Sequence, residues 1–439
     1  MTGKPEHAGI AAPLLLVLIG ISMIGPVAMN GVLPATSAVM VEFQSTYGLA
    51  QMVLTVYLFA TLVSQLVLGP AADRWGRRPI MIGSLLIFTG GSIACALAPT
   101  VEFLLLARFV QGVGGGVCTF LPRTIVRDIY PRDRAASVIG YMTTAMMIAP
   151  LFGPAAGGWI TDVASWRYLY WALAGFGAML ACMAWRHQYE TLEAGDEPVP
   201  LAESGEPAIQ PPASPAPASP DVVGGNIAKV LVATPAEPRS PIILLAKDRA
   251  FVAYALLMSG SVGVYYAFLA GAPWVAMQSR GLDASTYGIW FAMVAIGYLS
   301  GNFVAGRFSE RIGGDRMIFL GLVPFFTGVA AFWILSGWQH PFGLFLPMQL
   351  VAFSNGVSLP NMIAGAMSVR PSLAATASGL SGGVQTAFGV MLTLAVGALL
   401  PAADAWLFAI ATLSAAVTLI GMLIRRGVKA TPSVSAVRR

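Results

Sequence analysis

Apolar runs of about 20 residues recur from one end of this chain to the other, and no other sequence feature restricts its fold so tightly. The first, PLLLVLIGISMIGPVAMNGVL (13–33), contains no charged residue. A helix needs ~20 residues to cross a ~30 Å hydrocarbon layer, and in lipid each backbone N–H and C=O must find its partner within the helix. Twelve such runs are read, at 13–34, 49–71, 79–98, 102–125, 137–160, 166–186, 249–272, 286–308, 316–336, 342–367, 373–397 and 403–424. Hydrophobic residues make up 56% of the chain and charged residues only 10%, a composition suited to lipid rather than to a water-soluble core. The expected fold class is an all-α membrane protein of twelve transmembrane helices. The first run is too long for the apolar region of a signal peptide and is read as a retained span.

One stretch has a different composition. Residues 188–241 include EPAIQPPASPAPASPD, rich in proline and poor in residues to bury, so a disordered linker is expected there. It divides the chain into a six-helix bundle over 1–187 and a second over 242–439.

Charge gives the orientation. Of 25 Lys and Arg, Arg108 and Arg123 fall within the fourth span, and Arg167 and Arg280 fall in loops on one side. All the others lie at the termini, in the linker or in loops on the opposite side. Positive loops stay cytoplasmic, which places both termini and the linker there, in a multi-pass protein of the cell's inner membrane. The net charge of +5 is then a topology signal, and no nucleic acid partner is expected. Cys95, Cys118 and Cys182 all lie in apolar runs without metal or disulfide spacing, and read as packing residues. No nucleophile–base pair or metal set appears, so neither an enzyme nor a cofactor is expected.

Two segments repeat six spans apart. GPAADRWG (69–76) ends the second span and GRFSERIG (306–313) ends the eighth. Gly69 matches Gly306, Asp73 matches Glu310, Arg74 matches Arg311 and Gly76 matches Gly313. Parallel internal repeats of this kind are a transporter architecture.

The longer stretch GPAADRWGRRP resembles the cytoplasmic signature loop of the major facilitator superfamily. That resemblance implies two pseudo-symmetric six-helix bundles that rock about a central site. It also implies a gating set of Gly69, Asp73, Arg74, Gly76, Arg77, Arg78, Asp128, Glu310 and Arg311. Asp73 would latch onto the helix start near Pro371, where partial positive charge favours a carboxylate, and Arg77 would reach Asp128. The fourth span, LARFVQGVGGGVCTFLPRTIVRDIYP, matches the family at Arg108, Gln111 and Gly112. A guanidinium there is costly in lipid, so Arg108 is expected either to face a watery interior, in proton coupling or substrate contact, or to snorkel to headgroups. Arg123, after Pro122, is expected to snorkel.

In the fifth span, APLFGPAAGGWI (149–160) resembles the antiporter motif of drug:proton exporters at Gly153, Pro154, Gly157 and Gly158. VLPATSAV, ASWRYLYW and LPNMIAGAM point to the twelve-span bicyclomycin/chloramphenicol-resistance type. That type commonly has Asp where this chain has Asn30, and none of the 20 Asp and Glu lies deep in a span. A proton carrier needs a titratable group, so Glu42 or Asp128 would have to substitute.

A mid-membrane cavity with sparse polar groups is expected, with candidates Asn30, Tyr57, Gln65, Arg108, Gln111, Tyr141, Met146, Tyr265, Tyr266, Trp290, Tyr298, Asn355 and Gln385. Tyr265 and Tyr266 are neighbours in one helix, ~100° apart, so one should face the cavity and the other pack. The interior would be neutral to positive, which favours neutral or anionic cargo over cationic drugs, and the resulting expectation is a monomeric secondary transporter exporting small amphipathic molecules by proton antiport. The alternative is a facilitator or importer of a neutral or anionic metabolite without proton coupling.

Overall fold

In the computed structural model the described residues are 12–129, 138–139, 142, 145–146, 148–188, 241–370 and 373–427, and every regular element among them is helical. The first half comprises α1 (Ala12–Asn30), α2 (Tyr47–Trp75), α3 (Arg77–Ala96), α4 (Val101–Ile129), α5 (Ile148–Val163) and α6 (Trp166–His187). The second comprises α7 (Arg249–Pro273), α8 (Ala284–Ile312), α9 (Gly314–Ile334), α10 (Phe342–Ser368), α11 (Ala374–Leu399) and α12 (Ala405–Gly427). Eleven of the described helical stretches are long and apolar enough to cross a membrane. The twelfth expected span, α5, is described over 16 residues, and the turns expected before it are only partly within the described residues. The expected linker lies almost wholly outside them.

The first span is longer than expected. After Asn30 the path continues through a 3-10 turn, Leu33–Ala35, into a short helix ending at Glu42. Pro34 has no N–H to give the α-helical ladder, but it suits the first turn of a new helix. The second span is also longer, the third is shifted two residues toward the N-terminus, and Gly76 alone lies between α2 and α3. Gly76 has φ 97°, and Gly313, which alone separates α8 from α9, has φ 91°. Only glycine adopts such angles without strain, so the repeated acid–Arg–x–Gly segment builds the same one-residue joint twice.

The packing repeats as well. α2 and α3 pack on α4 in the first half, as α8 and α9 pack on α10 in the second. One buried apolar cluster draws on the first half. The other draws on the second half together with Leu33, Tyr47, Leu54 and Leu58. Large apolar side chains such as Phe303, Val323, Ile334 and Leu413 point outward, which lipid accommodates and water would not. The halves meet where α5 lies on α8 and where α2 lies on α11.

Ion pairs fasten helices within each half. Glu42 accepts from the Arg167 guanidinium at 2.7 Å and from the Trp166 indole, while Arg167 also donates to the Ala96 and Ala98 carbonyls at 2.9 Å each. In the second half Arg425 binds Asp315 at 2.6 Å, and both contact the Tyr254 hydroxyl. Arg370 pairs with Asp248 at 3.3 Å.

Helix starts at the loops are capped in the ordinary way. Asp283 accepts the Thr286 backbone N–H at 2.6 Å and the Ser285 hydroxyl at 3.2 Å at the start of α8. Hydrogen bonds from Thr286 hold its carboxyl below the ordinary 3.8. Because the folded-state value is depressed, the stabilisation is present above 3.8 and is lost as pH falls through the folded value. Asp283→Ala should therefore cost about 0.5–1 kcal/mol at pH 7. The melting temperatures of variant and wild type, compared at neutral and at strongly acidic pH, should differ only in the first case.

Candidate functional site

Two ends of the bundle are distinguished by charge. The end holding the α2–α3 and α8–α9 joints is rich in arginine. The opposite end carries Arg167 and Arg280 in its loops.

At the arginine-poor end the halves are in direct contact. A side chain at Gly158 of α5 would overlap the carbonyl oxygen of Ala284 in α8, and one at Gly288 of α8 would overlap that of Pro154. Within the first half, Gly157 meets the Gly31 carbonyl and Gly153 faces Asn30 and Gly31. The antiporter-like motif thus supplies a surface of backbone against backbone, as small residues do between membrane helices. Asp162 at the end of α5 accepts the Ser285 N–H at 2.8 Å, near the positive end of α8. Tyr47 donates to the Ala270 carbonyl, and Thr55 donates to Thr393 at 3.0 Å.

Between the halves lies a cavity of about 210 Å³. Its lining draws on α1, α5, α7, α8 and α10, is mostly apolar, and includes no charged residue among the described ones. The polar groups are Asn30, Tyr265, Tyr298 and Asn355. Asn30 donates to the Pro26 carbonyl at 2.9 Å and accepts the Tyr265 hydroxyl at 3.2 Å, a bond that joins the two halves. Asn355 donates to the Ser261 carbonyl at 3.2 Å, which leaves its Oδ1 buried without a partner. Tyr266, the neighbour of Tyr265, instead packs its ring against Gly389 of α11.

The other sequence candidates lie elsewhere. Arg108 is neither in the cavity lining nor at the headgroup level, and is only 1% exposed. Its Nη1 donates to Gln111 at 2.6 Å and its Nε to the Val53 carbonyl at 3.1 Å, with the Ala28 carbonyl at 3.4 Å. The guanidinium stacks 4.4 Å from the Tyr57 ring and 5.8 Å from Tyr170. Gln111 passes the network to Ser92 at 2.7 Å. The cost of burying the charge is offset by these oxygens and ring faces, so Arg108 ties α1, α2, α3, α4 and α6 together. Trp290 stacks among His340, Phe342 and Phe345. Gln385 is half-buried outside the cavity lining, and Tyr141 lies outside the described residues.

Arg123 is half-buried near the arginine-rich end of α4. It donates to the Met146 sulfur at 3.4 Å, and its Nε is buried without a hydrogen-bond partner. Among the cavity-lining residues that the sequence left unmarked are Pro26, Met29 and Pro150. Their signal was weak, because a proline or methionine in an apolar run reads first as packing.

At the arginine-rich end Arg77 pairs with Asp128 at 3.1 Å, fastening α3 to α4. Arg78 donates to the Trp185 carbonyl at 2.9 Å. Arg74, Glu310 and Arg311 are exposed at the helix ends. The environments of Gly69 and Asp73, and the Pro371 region that Asp73 would meet, lie outside the described side chains. The carboxylates considered as proton carriers, Glu42 and Asp128, are each held by an arginine.

Comparison with known proteins agrees with this architecture. The chain is 26% identical over 419 residues to multidrug resistance protein D of Escherichia coli, covering 94% of this chain and 93% of that one. It is 26% identical over 424 residues to the chloramphenicol resistance protein of Pseudomonas aeruginosa, covering 94% and 90%. A bacterial homologue of the human lysosomal transporter Spinster, solved inward-facing and unoccupied, superposes with a TM-score of 0.70 at 15% identity over 98% of this chain and 100% of that one. The D-xylose–proton symporter superposes at 0.65 with 13% identity, covering 95% and 97%. Residues 15–393 match the Major Facilitator Superfamily, and with two six-helix halves enclosing a central cavity, the chain belongs to that superfamily.

Proposed function

We propose that this multi-pass membrane protein exports small amphipathic molecules across the inner membrane by alternating access, in exchange for protons, as a monomer. Both termini and the 188–241 segment would be cytoplasmic, so the arginine-rich end faces the cytoplasm and the glycine contacts close the outer side. The observation that carries the reading is the largely apolar, uncharged cavity between two halves joined at one end by side-chain-free helix contacts. Relatives named for multidrug and chloramphenicol resistance support efflux. In the outward-facing state Asp73 and Glu310 would latch the cytoplasmic side.

A second reading is movement without proton coupling, and Asn30 favours it. A carboxamide in the cavity wall cannot exchange a proton, and no carboxylate is among the described lining residues. Proteoliposomes separate the readings with chloramphenicol as probe. Accumulation driven by an imposed pH gradient supports antiport. Equilibration that ignores the gradient supports the second reading, and Asn30→Asp should then confer gradient dependence. Absence of any movement, for chloramphenicol and a wider panel of amphipathic compounds, would remove the export reading.

A further inference from the structure

Arg123 lies within an apolar span and has no ion-pair partner among the described residues. A guanidinium has five N–H donors and favours a carboxylate or phosphate in bidentate geometry. Here its hydrogen-bond partner among the described residues is a thioether, a weak acceptor, and its Nε is buried and unpartnered. Ionisable groups at such depth ordinarily pair with one another or serve a transport path.

Its position favours the path. Met146 precedes Pro150 of α5 by four residues in sequence, and Pro150 lines the cavity. The guanidinium therefore sits against a residue four positions from the cavity wall, toward the arginine-rich end of α4. Arg108, by contrast, is saturated by oxygens and ring faces of its own half.

We infer that Arg123 is the anion-binding residue of the transport path, taking the carboxylate of an amphipathic cargo whose apolar body occupies the cavity. This rests on the export reading and narrows it to organic monoanions. Asn355 Oδ1, the unpartnered acceptor in the same cavity, would receive a donor on the cargo's apolar body.

The test uses the full-length protein in phosphatidylcholine nanodiscs, with naphthalene-2-carboxylate and its isosteric amide as probes. Calorimetry should show the carboxylate binding at least about tenfold more tightly than the amide. Arg123→Gln should equalise the pair by weakening the carboxylate far more than the amide, and an unchanged melting temperature in the nanodisc reports that the variant is folded. Arg123→Lys should keep the charge but lose part of the preference, and serves if the glutamine variant does not fold. Equal binding of both probes by wild type, or a preference that survives in Arg123→Gln, would overturn the assignment. So would loss of the preference in nanodiscs containing phosphatidylglycerol, which would make a lipid phosphate the natural partner. Counterflow in proteoliposomes distinguishes the broader reading: binding preference without movement of either probe would refute export and leave the site standing.

Discussion

Gly158→Val is expected to lower transport by roughly 5- to 150-fold without preventing membrane insertion. A Cβ at this position has no room, because the Ala284 carbonyl of the other half occupies its place. Backbone cannot yield as a flexible side chain can. Overpacking a tight contact costs ~1–3 kcal/mol, and here the cost falls only on the state in which α5 touches α8. The population of that state should drop by the corresponding factor. Gly288→Val, which intrudes on the Pro154 carbonyl from the opposite side, should act in the same way. Gly175→Ala is the control, since nothing lies near its would-be Cβ. Uptake by proteoliposomes gives the transport rate, and spin labels on the ends of α5 and α8 should report a larger separation in both valine variants. Wild-type rates in Gly158→Val would refute the role given to this contact.

Arg108→Met should cost ~3 kcal/mol or more of stability. The substitution removes a charge-assisted hydrogen bond to Gln111, worth ~1.5–3 kcal/mol, and leaves that amide oxygen buried without its donor. It also removes a desolvated cation–π contact with Tyr57, worth ~2 kcal/mol. Part of this loss is returned because a buried charge no longer needs compensation, and methionine fills much of the volume. Arg108→Lys should fall between, since one ammonium cannot reach Val53, Ala28 and Gln111 together. Thermal unfolding in detergent measures the difference. Normal thermal stability with abolished transport would instead assign Arg108 to coupling or cargo contact.

The spans, the two-fold repetition and the arginine asymmetry were legible because lipid imposes run length and charge distribution directly on the sequence. The joint at Gly76 and Gly313 was legible as a repeated motif, and the Arg77–Asp128 pair followed from resemblance. The neighbours of Arg108 were not. A helix that is apolar on all sides does not reveal which face meets lipid and which meets protein. For the same reason the sequence could state that Tyr265 and Tyr266 diverge but not which one faces the cavity. The Met146 neighbour of Arg123 was hidden for a related reason, since a basic residue near a helix end reads first as a headgroup contact and the sequence does not show which face meets another helix. The contact of Asp162 with Ser285 joins residues 123 positions apart, beyond the reach of any local pattern.

Among the described residues, the ion pairs between Arg77 and Asp128, Arg167 and Glu42, Arg370 and Asp248, and Arg425 and Asp315 each close within one half. Under the alternating-access reading, the surfaces that would part on the arginine-poor side are joined, among the described residues, by carbonyls, hydroxyls and one carboxylate on a backbone amide. Added salt would therefore soften each bundle internally, through screening of exposed charges, while scarcely changing the balance between its two orientations.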